Sequence, residues 1–186
     1  KKMLGVSDYG AFMLAFILLL FLPGPGNLAL VSATGLGDLR GGLAAVAGLL
    51  LGDQVLMWLT VAGVAALLQS TTVVFKGMQC LGAAYLAVLG WRMCNPKSGV
   101  SAIKVRAGRY FVDTWMITVL NPKSVMFYFA FFPQFIDPQQ HLGLITFAFM
   151  ALTVMVLGFV YCFGVVLVTL CMAQRLRARP RVSLWL

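Results

Sequence analysis

The sequence contains no glutamate, one histidine (His141) and five aspartates, and only 10% of its 186 residues are charged. An ordinary soluble domain carries about 25% charge, so this chain cannot build a water-facing surface of normal composition. The same scarcity argues against an enzyme working inside the apolar runs. Such an enzyme needs paired acids, or a nucleophile with a base, and the lone histidine sits in a polar connector. Cys80, Cys94, Cys162 and Cys171 lie in or at the edges of apolar runs, with no Cys-x-x-Cys spacing and no histidine cluster. They read as small apolar residues, and neither a metal nor a cofactor is expected.

What is present is apolar: 61% of the residues are hydrophobic and the mean hydropathy is +0.95. Runs of about 20 residues match the length that crosses a ~30 Å hydrocarbon layer. Five spans are predicted, at about 9–33, 41–67, 72–94, 110–132 and 142–172, joined by short polar connectors that leave no room for a soluble domain. Lys1 and Lys2 resemble the start of a signal peptide. No small-x-small cleavage site follows, so the first run is read as a retained span.

The net charge of +9 forms no basic patch interleaved with aromatics, which argues against nucleic acid. The basic residues cluster between spans, where they act as orientation signals. Arg92, Lys97, Lys104, Arg106 and Arg109 follow span three, and Arg175, Arg177, Arg179 and Arg181 follow span five. Segments 95–109 and 174–186 are therefore predicted to be cytoplasmic, together with Arg40. Lys76 and the N-terminus then fall outside.

An internal repeat is visible. Pro25 and Pro122 each break a span, Asp38 and Asp137 follow, and Gly41-Gly42 and Gly143 open the next one. A repeat of three spans must insert in the opposite sense the second time, the inverted plan of many secondary transporters. The expected fold is thus an all-α membrane protein, one polytopic helical bundle over 1–186. Repeat one covers about 9–94, and repeat two, about 110–186, is incomplete because the sixth helix is missing from this chain.

Three places carry chemistry. Pro23, Gly24, Pro25, Gly26 and Asn27 lie roughly 18 to 27 Å into span one at ~1.5 Å per residue. Their prolines free carbonyls that lipid does not tolerate, so neighbouring protein or a cavity must meet them. The plainer alternative is a simple kink. Asn121, Pro122 and Lys123 lie near the middle of span four, where a lysine costs at least ~2.5–3.5 kcal/mol. Lys123 therefore faces a partner or a cavity, unless the span begins later and the side chain snorkels. Asp53 is read as the only acid inside a span. Gly48 and Gly52 form a small-xxx-small pair that turns it inward, either to pair with Lys123 or accept a proton, or to make a structural hydrogen bond. Phe127, Tyr128, Phe129, Phe131 and Phe132 are read mainly as packing or lipid-facing surface, with one or two rings as the alternative that shapes an apolar side-chain pocket. Two facing broken helices suit a small polar or zwitterionic solute.

Several motifs recur in order. They are Pro23-Gly24-Pro25, Gly41-Gly42 with Gly48-x-x-x-Gly52-Asp53, Leu81-Gly82-Ala83-Ala84-Tyr85-Leu86 leading to Gly90, and Asn121-Pro122-Lys123 before Phe131-Phe132-Pro133-Gln134-Phe135. In these the sequence resembles the LysE/RhtB amino-acid exporters, and the spacing around Asp53 and Asp137 looks closest to the leucine exporter branch. The resemblance implies proton-driven efflux of amino acids across a bacterial inner membrane. Neutral, branched-chain or hydrophobic substrates are expected, with homoserine, threonine or basic amino acids as the alternative and a passive channel or structural subunit behind them. Protons, the amino acid and lipid are the expected partners, no nucleic acid is, and a homodimer is left open. Family members often carry a polar residue directly after Pro-Gly-Pro, whereas here Gly26 stands there and Asn27 follows.

Overall fold

A computed structural model describes residues 4–67, 105–136 and 143–177, with isolated helical positions at 77, 80, 84, 87, 88 and 91. The predicted third span outside those positions, the connectors 69–71 and 95–104, loop residues 137–141 with Asp137 and His141, and everything past 177 lie outside the described residues.

Helix α1, Tyr9–Phe21, starts at Asp8, whose carboxylate accepts the Ala11 N–H at 3.2 Å. That bond holds the Asp8 carboxyl below its ordinary range. The helix stops because Pro23 has no N–H to continue it and forces Leu22 into an extended conformation (φ −67°, ψ 110°). Pro25 then occupies the first position of α2, Pro25–Leu67, where a missing N–H costs nothing. Each half of the first span is 13 residues long, about 20 Å, so the break falls near mid-depth.

At Asp38 (φ 50°, ψ −145°) α2 folds back on itself. The two arms, 25–37 and 39–67, then meet so closely that a Cβ on Gly41 would strike the Ala33 carbonyl oxygen. Two predicted spans are therefore one hairpin with a one-residue hinge.

Helix α3, Tyr110–Val119, and α4, Pro122–Met126, form the second broken span, which tightens and widens irregularly through a π turn at Phe127–Phe131 and a 3-10 turn at Phe132–Phe135. Helix α5, Leu144–Arg177, completes the described residues. Before α1, Val6 forms an isolated antiparallel bridge to Ile136, and Thr146 Oγ1 donates to the Leu4 carbonyl at 2.7 Å, pinning the entry of α1 against the second half.

One buried cluster gathers Phe12, Phe16, Met57, Tyr128, Phe132, Met150 and Val154; another gathers Leu30, Ala33, Ala45, Val46 and Val166. The exterior is as apolar as the interior. Leu14, Leu18, Phe21, Leu144, Val160 and Val168 are each more than half exposed, an arrangement suited to a hydrocarbon solvent and not to water. Two of the helices, α2 and α5, are long and apolar enough to cross a membrane. The protein is an all-α membrane protein.

One sequence expectation needs correction. Asp53 is not the only acid inside a span, because Asp113 lies in the first turn of α3. Its carboxylate takes a two-point grip from Arg106, Nη2 to Oδ1 at 3.0 Å and Nε to Oδ2 at 3.3 Å, plus the Arg106 backbone N–H at 2.9 Å. An acid is tolerated there because the helix N-terminus carries partial positive charge and an arginine reaches it.

Candidate functional site

The two proline breaks meet. Helical bonding pairs each N–H with the carbonyl four residues earlier, so Pro23 leaves the Leu19 carbonyl open. Lys123 Nζ fills that place, donating to Leu19 O at 3.0 Å and to Leu22 O at 2.8 Å. Asn27 Nδ2 donates to Leu20 O at 3.0 Å and to Tyr161 Oη at 3.2 Å. The frayed end of α1 is thus capped by a cation from the other half of the chain and by an amide from its own continuation. A Cβ on Gly24 would stand 3.3 Å from Lys123 Nζ, so the absence of a side chain there gives the ammonium room.

Lys123 is placed by its own local structure. Asn121 caps α4, its Oδ1 accepting the Lys123 N–H at 3.1 Å, and Pro122 takes the first helical position. The lysine side chain then runs inward and is buried with 9% of its surface exposed. At this depth a cation needs partners, and backbone carbonyls are the ones the fold supplies.

Asp53 approaches from the second arm of α2. That arm packs directly on α3, since Gly48 faces Thr114 and the Phe111 carbonyl, and Gly52 faces Thr118, whose Cβ would be 2.8 Å from an added Cβ. Thr114 Oγ1 also donates to the Ala45 carbonyl at 3.2 Å across this contact. Lys123 makes no direct ion pair with Asp53; its hydrogens go to carbonyls, and the two charges act on each other across a gap.

That gap is a small cavity of about 50 Å³, walled by Asp53, Asn27, Lys123, Asn121, Ser124, Thr118 and Cys162, with Gly26, Phe16, Leu19, Leu20 and Leu49. It brings Gly26, Asn27, Asp53, Asn121 and Lys123 together. Pro23, Gly24, Pro25 and Pro122 shape the backbone around it, while Gly48 and Gly52 sit on the packing face.

Sequence reasoning missed three side chains. Tyr128 is wholly buried and faces Asp53, yet it was hidden in an aromatic run. Phe127, Tyr128 and Phe132 are buried in the bundle, so these three rings are packing surface. Tyr161 and Cys162 reach the site from α5, and no motif marks either of them.

Broken helices from two parts of the chain, meeting at mid-depth around a small polar cavity, define a helical membrane transporter. The chain belongs to the LysE type translocator family, which matches residues 17–185. It is 34% identical to a leucine efflux protein of Salmonella typhimurium over 84% of this chain and 76% of that protein. With a leucine efflux protein of Klebsiella pneumoniae the identity is 32% over 96% and 87%. An uncharacterized membrane protein of Pseudomonas aeruginosa is 31% identical over 97% and 88%. No solved structure matches the chain.

Proposed function

We propose that the protein exports neutral, branched-chain or hydrophobic amino acids, leucine among them, across a bacterial inner membrane, coupled to proton movement. The observation that carries the reading is the pairing of Lys123 with the carbonyls freed by Pro23, opposite Asp53, around one cavity. An amino-acid zwitterion presents the two charges that this site complements. Its carboxylate suits the Lys123 ammonium, and its ammonium suits Asp53 and the open carbonyls of α1. Lys123 would exchange carbonyl partners for the substrate carboxylate, and release of substrate would return it to Leu19 and Leu22.

A cavity of about 50 Å³ is far below the ~300–1,000 Å³ of ordinary ligand sites. The cavity therefore has no room for an amino acid in this arrangement, and the site must enlarge to take substrate. The leucine efflux proteins among the relatives support the choice of substrate class. The positive residues Arg106, Arg109 and Arg175 support a cytoplasmic placement of the segments that hold them, and the two prolines at matching places support an inverted repeat.

Cells producing the protein and preloaded with labelled leucine or methionine should release them faster than cells without it, and a protonophore should abolish the difference. Unchanged release for every amino acid in a panel would sink the reading.

A further inference from the structure

Tyr128 is the one side chain among the described residues whose buried polar atom has no hydrogen-bond partner. It is fully enclosed, with Phe127 and Phe132 packed on its ring at centroid distances of 5.4 and 6.3 Å. Leaving a hydroxyl unpaired in such surroundings costs about 1–3 kcal/mol, and a phenylalanine would fill the same space without that cost. The polar group it faces is the Asp53 carboxyl, which is near enough to act on it but not placed to complete a hydrogen bond of ordinary length and angle. Tyr128 also sits in the π turn Phe127–Phe131. Such turns insert an extra residue into the helical ladder, recur at functional sites, and can shift register where a regular helix cannot.

We propose that Tyr128 is a positioning residue for Asp53: its O–H donates to the carboxylate in one transport state and stands short of it in the arrangement seen here. The inference rests on the export reading and deepens it by naming what Asp53 answers to. The tyrosine keeps its proton throughout, and no bond is made or broken. When Asp53 is charged and without substrate, the hydroxyl is its internal donor. When a proton or a substrate ammonium neutralises the carboxylate, that donor is released and the π turn relaxes. The occupancy of Asp53 is thereby linked to the shape of the second broken helix. The other groups facing the pair are Lys123 from α4 and the Cys162 thiol from α5, while α1 contributes no charged or titratable side chain, only the apolar Phe16, Leu19 and Leu20 and its backbone carbonyls.

The test uses the whole chain in proteoliposomes loaded with labelled leucine. Tyr128→Phe should insert at wild-type levels with an unchanged or higher thermal midpoint, because it removes only an unpaired hydroxyl. Its efflux should nonetheless fall roughly tenfold, the size of one lost charge-assisted hydrogen bond. The pH profile should move to higher pH, since the charged carboxylate has lost a donor. In an Asp53→Asn background the same change should add nothing. Wild-type rate and pH profile in Tyr128→Phe, or losses that add in the double variant, would overturn the proposal while leaving export standing. A wild-type chain that moves no amino acid would overturn the export reading and this inference with it.

Discussion

Lys123 Nζ donates at 3.0 Å to the Leu19 carbonyl, the one that Pro23 cannot bond. A residue 104 positions away thus completes the helix that a proline interrupts. This explains how a lysine and a Pro-Gly-Pro break coexist in an apolar bundle, since each relieves the other's cost. Lys123→Met should remove both donors and leave two carbonyls unpaired, at roughly 1–3 kcal/mol each. The expected result is a clear drop in thermal midpoint in detergent together with loss of efflux. An unchanged midpoint would mean that water or another group caps α1 equally well.

Pro23→Ala pulls the other way. It supplies the missing N–H for Leu19 and lets α1 extend by a residue, in competition with Lys123. Pro23 lies between α1 and α2, so the change adds one hydrogen bond of about 0.5–1.5 kcal/mol against about 0.4–1 kcal/mol of unfolded-chain freedom that the proline had removed, and the variant should be about as stable as the parent. Efflux should fall, because Lys123 loses a partner it must be able to leave and rejoin. Parental transport in a stable variant would show that the open Leu19 carbonyl is not needed for turnover.

The α2–α3 contact predicts a contrast between two glycines. An added Cβ at Gly52 would meet the Thr118 Cβ at 2.8 Å, and that atom is fixed to the backbone of a buried residue. Gly52→Ala should therefore destabilise by about 1–3 kcal/mol through overpacking. At Gly35 nothing lies within 4 Å, and Gly35→Ala should be neutral or gain about 0.5–1 kcal/mol of helix preference. Thermal unfolding of both variants in the same detergent checks the pair.

How much of this was legible in the sequence follows the reach of each interaction. Proline spacing and apolar run length are local, so the membrane class, the broken spans and the inward glycines at 48 and 52 could be read directly. The demand for a partner at Lys123 and the excess of carbonyls before Pro23 were both readable as well. Their match was not, because it is a contact between helices 101 and 104 residues apart. Asp113 already stood inside the predicted span 110–132 and could have been read there; what was not readable was its partner, Arg106 folding back onto the start of the helix. Tyr128 was lost because π and 3-10 turns have no 3.6-residue period to say which ring faces inward.

Cys162 offers a direct view of the opening that export requires. It is 5% exposed and lies on the wall of a cavity of about 50 Å³, whereas Cys80 and Cys171 are exposed. A chain with Cys80, Cys94 and Cys171 changed to Ser carries this single reporter. In proteoliposomes at rest, a small membrane-impermeant thiol reagent should label it slowly from either side, since a cavity of this size holds a few waters and no larger molecule. Under leucine exchange the site must open, and labelling should rise severalfold from at least one side. In Asp53→Asn, where the cycle is expected to stall, the leucine-dependent rise should disappear while resting labelling stays low. Fast labelling at rest would show that the arrangement with the small cavity is not the dominant one. Slow labelling during measured transport would show that the substrate path avoids Cys162, and that the cavity between the two breaks is not the route.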